Sequence, residues 1–266
     1  MLDLFDRDIT YLRISVTDRC DLRCLYCMPQ EGINLIRHED ILSYDEIVEV
    51  VKASVKFGVN KIKITGGEPL ARKGIENLVS ALAAISGIKD LGMTTNGTML
   101  EKYAFILKNA GLMRVNVSLD TLDPEEYAKI TRGGDIYRVL RGIDMARLAG
   151  LEPVKINSVI FGNVEEEKKE KLRNFAKENG LSIRFISKMN LQNGEYSVVD
   201  GGAGGNCRIC NRIRLTANGF IKPCLFSDDE FNVRTLGPEQ AILKAISVKP
   251  EKGTKSYKRD FYNIGG

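Results

Sequence analysis

The feature that most constrains this chain is a regular exchange between two hydrophobic periods from residue 11 to residue 187. A period of two predicts strands near 11–16, 61–65, 90–94, 113–118, 153–160 and 182–187. Helical spacing predicts helices between them, near 43–57, 74–86, 100–110, 134–149 and 163–179. Ser43 with Glu46 forms a capping box that opens the first helix, and Gly58, Gly111, Gly150 and Gly180 stand where helices should stop. Each helix carries the chain back along the sheet, so successive strands run the same way. The expected fold is α/β, a parallel barrel of six strand–helix units or part of one. An antiparallel sheet with one wet face would show a similar alternation, but the intervening helices argue against it.

The polar faces of these strands carry a second signal. Arg13 and Ser15 alternate with Leu12, Ile14 and Val16, and Lys61, Lys63 and Thr65 share one side of the second strand. Asn116, Ser118 and Asp120 do so in the fourth, Lys155 and Asn157 in the fifth, Ser182 and Arg184 in the sixth. Helices should cover the apolar faces, which turns these residues into the lumen. A lumen carrying Arg13, Lys63, Lys155 and Arg184 must hold water or an anion, because unpaired buried cations are costly.

With 266 residues, 43% of them apolar, the chain can bury the core of one such domain with a short extension. Its net charge of +4 is too mild to suggest a nucleic-acid surface, though it suits a pocket for an anionic substrate. No apolar run is long enough to cross a bilayer, and Met1–Arg7 is too charged for a secretory leader. The expected location is the cytoplasm. There, six cysteines are better explained as metal ligands or catalytic thiols than as disulfides. His38 is the only histidine, in a charged stretch that reads as a solvated loop, so chemistry built on histidine is nearly excluded.

The cysteines fall into two trios. Cys20-Asp-Leu-Arg-Cys24-Leu-Tyr26-Cys27 follows the first strand, at the end where a parallel barrel keeps its chemistry. Three thiolates can ligate three irons of a cubane and leave the fourth iron open, able to chelate the amino and carboxylate groups of S-adenosylmethionine (SAM). A structural zinc site or a ferredoxin-like cluster would want a fourth ligand. The second trio is Cys207-Arg-Ile-Cys210, with Cys224 thirteen residues further on, and no histidine nearby. Another open cubane suits it, or a zinc ion completed by a different ligand. Arg212 and Arg214 alternate in a short strand beside it, so both guanidiniums point one way and suit phosphate or a purine edge.

At the first trio the chain resembles the radical SAM superfamily, and Gly66-Gly67-Glu68-Pro69, Thr94-Thr95-Asn96-Gly97 and Ser118-Leu119-Asp120 agree with it. At Cys210-Asn-Arg212-Ile-Arg214-Leu-Thr, at Arg184-Phe-Ile with Met189, and at the terminal Ile-Gly265-Gly266, it resembles the GTP 3′,8-cyclase family of molybdenum cofactor biosynthesis. The resemblance covers nearly the whole chain. It implies a partial (β/α)6 TIM-type barrel over 1–189 and a C-terminal auxiliary-cluster extension over 207–266, which the glycines of 190–206 join as a Gly-rich connector. It implies two [4Fe–4S] clusters, on Cys20, Cys24 and Cys27 and on Cys207, Cys210 and Cys224. Tyr26, Gly67, Glu68, Ser118 and Met189 would meet SAM. Arg13, Lys63, Thr94, Lys155, Arg212 and Arg214 would bind GTP, supported by Arg72 and Arg184, with Gly265 and Gly266 reaching into the site. The implied product is (8S)-3′,8-cyclo-7,8-dihydroguanosine 5′-triphosphate. The implied electron donor is a reductant such as flavodoxin or ferredoxin, and the implied assembly a monomer or homodimer without nucleic acid or membrane.

The chain departs from that family in one place. The family has several tens more residues between the sixth strand and the second trio, where this chain has a link containing Gly201, Gly202, Gly204 and Gly205. The family also tends to have an acidic then an apolar residue where Ser187 and Lys188 stand. The expectation is a flexible link with part of a barrel wall or lid missing. A peptide-modifying radical SAM enzyme with an auxiliary cluster would use such an opening. A non-enzymatic iron–sulfur carrier would explain the cysteines but not the Gly-Gly-Glu-Pro turn.

Overall fold

In the computed structural model the described residues are 1–160, 166–258 and Ile264. Strands β1 (Tyr11–Ser15), β2 (Lys61–Thr65), β3 (Asp90–Thr95), β4 (Arg114–Ser118), β5 (Lys155–Ile160) and β6 (Ser182–Ser187) form the expected parallel series. Helices α1 (Tyr44–Lys56), α2 (Ile75–Ala83), α3 (Leu100–Asn109), α4 (Pro124–Thr131), α5 (Ile136–Leu148) and α6 (Glu166–Glu178) lie between them. The capping box at α1 is formed in both directions. Helix α4 was not anticipated: Asp123 caps it and Pro124 opens it, but its eight residues are too few for a clear period. The first residues of the helix expected over 163–179 lie outside the described ones.

Sheet order is β6-β5-β4-β3-β2-β1-β7-β8-β9, an open sheet in which β1 lies between β2 and β7. Strand β7 (Arg212–Leu215) pairs parallel with β1, setting Tyr11 opposite Arg212 and Arg13 opposite Arg214. Strands β8 (Phe220–Lys222) and β9 (Phe231–Asn232) continue antiparallel, and helices α7 (Val233–Leu236) and α8 (Pro238–Ser247) follow. Ile213 and Leu215 are fully buried in the same core as Leu12 and Ile14, which is why β7 joins the sheet. Alternation then turns Arg212 and Arg214 to the face that carries Arg13.

An ion-pair group binds the beginnings of β2, β3 and β4. Asp90 accepts from Arg114 Nε and Nη2, each at 2.7 Å, and lies 3.0 Å from Lys61 Nζ. Burial pushes the Asp90 carboxyl up, but these cations outweigh it and hold it at about 2, against 3.8 ordinarily. A folded-state pKa below the unfolded value stabilises the fold above about pH 4, and that contribution is lost as pH falls toward 2. Asp90→Asn is expected to remove about 2 kcal/mol at neutral pH, with the gap to wild type closing between pH 4 and 2. Urea unfolding across that range checks this; a gap that persists undiminished at pH 2 rules it out.

Candidate functional site

One cavity of about 320 Å³ opens where β1–β6 end and is lined by all six cysteines. Around them stand Arg13, Tyr26, Gly66, Gly67, Thr94, Asn96, Ser118, Asn157, Met189, Arg212 and Arg214. Residues nearly two hundred positions apart thus share one wall, because β7 lies against β1.

The first trio sits on a loop leaving β1, turned by Cys27 N–H and Met28 N–H, both donating to the Cys24 carbonyl at 3.0 Å. Asn96 secures the loop from the end of β3, its Nδ2 donating to Asp21 at 2.7 Å and reaching Cys20 Sγ at 3.8 Å. Tyr26 Oη donates to Asp120 at 2.9 Å, and Asp120 also accepts from Val159 N–H at 2.7 Å. Burial pushes the thiols of Cys20, Cys24 and Cys27 each up to about 12, and the neighbouring thiols add to this. Such thiols ionise when a cationic centre takes their electron pairs. Among the described residues, no group of three His, Cys, Asp or Glu is drawn together around a single ion.

The second trio has a different electrostatic setting. Burial pushes the Cys210 thiol up, yet Lys249 and Arg212 more than offset it and hold it at about 7. Lys249 is 2% exposed; its Nζ lies 3.6 Å from Cys210 Sγ and donates to the carbonyls of Arg212 and Pro223, both at 2.7 Å. It joins the segments that carry Cys210 and Cys224. Arg7 does the same for Cys207, donating to its carbonyl at 2.9 Å and to the carbonyls of Pro250 and Glu251 at 2.7 Å. No local pattern marks Lys249 or Arg7 in the sequence, since the contacts by which each meets the second trio's segments span 26 residues or more.

The Gly66–Gly67 turn is shaped by close approach. A Cβ on Gly67 would meet the Arg19 carbonyl oxygen at 2.3 Å, so only glycine lets this turn lie against the cysteine loop. Glu68, expected at the cofactor, turns away from the cavity wall. It is fully buried and accepts from Thr95 Oγ1 at 2.7 Å, Asn96 N–H at 2.7 Å and Leu70 N–H at 3.0 Å. Burial raises its carboxyl to about 7 despite those donors.

The cations divide into two sets. Arg13, Arg212 and Arg214 line the cavity. Burial and then mutual repulsion lower Arg214 to about 9, and burial with repulsion from Arg212 lowers Arg13. Such a group favours an anion among its members. Lys63, Lys155, Arg72 and Arg184 lie outside the wall. Lys63 Nζ donates to Asn116 Oδ1 at 3.2 Å, Arg184 Nε to the Gly201 carbonyl at 3.3 Å, and Arg72 to the carbonyls of Val16 and Leu42 at 2.6 Å. The lumen charge expected from alternation is therefore partly answered by the protein itself. Gly265 and Gly266 lie outside the described residues.

The link over 190–206 makes two isolated bridges and contributes to the cavity lining. Asp200 pairs with Phe185 of β6 and Asn190 with Glu195, and Met189, Tyr196, Ser197, Val199, Gly204, Gly205 and Asn206 line the cavity. These residues form a strap along one side of the cavity.

Residues 14–176 match the Radical SAM superfamily. A GTP 3′,8-cyclase of Thermodesulfovibrio yellowstonii is 42% identical over 322 aligned positions, covering all of both chains. Those of Petrotoga mobilis and Alkaliphilus metalliredigens are 39% and 40% identical, covering 98% and 95% of this chain and 97% and 94% of theirs. Since 322 positions are aligned against 266 residues, the first relative carries segments that this chain lacks. Among solved structures, Streptococcus suis SuiB bound to its precursor peptide SuiA superposes with a TM-score of 0.70 at 18% identity, covering 92% of this chain and 66% of SuiB. Methylornithine synthase does so with a TM-score of 0.57 at 17% identity, covering 96% of this chain and 77% of its own. These two likenesses bear on the fold. Among the described residues, no helix is long and apolar enough to cross a membrane.

Proposed function

Because the chain belongs to the radical SAM superfamily and, within it, to the GTP 3′,8-cyclase family, we propose that it converts GTP to (8S)-3′,8-cyclo-7,8-dihydroguanosine 5′-triphosphate in molybdenum cofactor biosynthesis. The observation that carries this reading is a single cavity walled by two cysteine trios with Arg13, Arg212 and Arg214 in the same wall. Cys20, Cys24 and Cys27 hold the [4Fe–4S] cluster of the superfamily, and Cys207, Cys210 and Cys224 hold a second. When bound, the first cluster supplies the electron that cleaves SAM, the source of the radical chemistry.

The protein's own part is position, charge and exclusion of water. Tyr26, Gly67, Ser118 and Met189 contact SAM, and Glu68 works one layer back by holding the Gly-Gly turn to the end of β3. Arg13, Arg212, Arg214 and Thr94 bind GTP, and its negative charge relieves the repulsion among the three guanidiniums. Lys63, Lys155, Arg72 and Arg184 support that site from behind the wall. The strap screens the radical step from solvent, which makes a separate lid unnecessary. Functionally, 1–189 serves SAM and supplies Arg13 and Thr94 to GTP, 190–206 lines the cavity, and 207–266 carries the auxiliary cluster. We assign the cytoplasm as its location, flavodoxin or ferredoxin as its reductant, and a monomer or homodimer as its assembly.

Anaerobic reconstitution followed by iron counting tests this, with about eight irons expected for two cubanes. Adding SAM, GTP and a reductant should yield 5′-deoxyadenosine and a cyclised nucleotide in step. Cleavage of SAM with GTP left unchanged would remove GTP as the substrate.

A further inference from the structure

The strap brings an aromatic residue to the second trio that the proposed chemistry has not used. Tyr196 Oη lies 3.3 Å from Cys207 Sγ and 3.1 Å from the Gly253 carbonyl oxygen. Its ring packs on Phe226, centroids 4.6 Å apart and planes tilted by 34°. Phe226 is 5% exposed and stands two residues beyond Cys224. One side chain therefore touches the Cys207 arm through its hydroxyl and the Cys224 arm through its ring.

The strap's folding makes this contact possible. Val199 N–H donates to the Gly204 carbonyl at 2.8 Å and Gly202 N–H to the Val199 carbonyl at 3.1 Å, so the chain doubles back between Tyr196 and Cys207. The turn is tight enough that a Cβ on Gly205 would sit 2.0 Å from the Ser197 carbonyl oxygen, and Gly205 adopts a φ of +77°. Leu191, Leu225, Phe226 and Ile264 form a small separate core, with Met189 and Tyr196 packed against it.

We propose that Tyr196 is a positioning residue for the second cluster: its hydroxyl donates a hydrogen bond to the Cys207 sulfur and fastens the strap to that cluster. This rests on the reading that Cys207, Cys210 and Cys224 hold a [4Fe–4S] group. A metal-bound Cys207 has no proton and can only accept. The hydroxyl has one proton to give, and a thiolate is a stronger acceptor than the neutral Gly253 carbonyl. Hydrogen bonds to ligand sulfurs help set a cluster's reduction potential, so the contact has a redox signature as well as a structural one.

The test uses the full chain, reconstituted anaerobically, as wild type, Tyr196→Phe and Tyr196→Ala. Iron is counted, and both clusters are followed by redox titration with electron paramagnetic resonance. Tyr196→Phe keeps the ring on Phe226 and loses only the donor. It is expected to retain about eight irons and to shift the second cluster to a more negative potential, leaving the first where it was. Tyr196→Ala also removes the ring and is expected to lose iron from the second site several-fold faster under a chelator. Wild type with about four irons overturns the second-cluster reading, and this proposal with it. Wild type with about eight irons, and a second-cluster potential in Tyr196→Phe that matches wild type, overturns the role of Tyr196 alone.

Discussion

Replacing Cys24 with alanine is expected to lower the iron of the reconstituted chain from about eight to about four and to abolish SAM cleavage, with or without GTP. The side chain is one of three half-buried thiols facing a common cavity, and alanine has no lone pair for iron. The local fold should survive, because the turn is built on the Cys24 carbonyl and not on its sulfur. The cluster proposed on Cys207, Cys210 and Cys224 should keep its spectroscopic signal. Iron counting, electron paramagnetic resonance and the release of 5′-deoxyadenosine read these effects together. Wild-type rates of 5′-deoxyadenosine release from Cys24→Ala would disprove the assignment of the first trio.

The second large effect is expected at Arg212. Arg212→Ala should weaken GTP binding by roughly 3 kcal/mol, about a hundredfold in Kd, and abolish cyclisation. Cleavage of SAM without substrate should remain largely intact, since Arg212 stands beside the second trio, where GTP is proposed to bind. Folding should not suffer either. Arg212 repels Arg13 and Arg214, and relief of that repulsion offsets the attraction to Cys210 that its removal costs. Weaker binding with equal or greater resistance to urea is the signature of a residue placed for an anion at the expense of stability. Parallel loss of binding and of stability would instead make Arg212 a structural residue, and unchanged GTP turnover would remove it from the site.

Local regularities carried far into this fold. Two hydrophobic periods are enough to find strands β1–β6, because each strand's burial depends on its own alternation against a common core. The short C-terminal elements were harder. Strands β8 and β9 have three and two residues, too few for a period, and their place follows from pairing with β7. Lys222 shows the same limit from another side. Lysines ordinarily lie at the surface, yet this one is fully buried with its Nζ donating to the Ser227 carbonyl at 2.7 Å. Burial of a cation depends on a partner that only the folded loop supplies.

Sequence alone determined the ligand types, their spacing, and the face of each strand on which the polar residues stand. Those are short-range properties, set by covalent order and by backbone periods of two and 3.6. Tertiary structure decided which segments meet. It laid β7 against β1, bringing Arg212 and Arg214 beside Arg13 and the second trio to the first. It set Lys249 beside Cys210, turned Glu68 away from the cavity, and folded a Gly-rich link into a wall held by Tyr196. Such contacts are selected by burial and hydrogen-bond satisfaction over the whole molecule, and no local pattern encodes them.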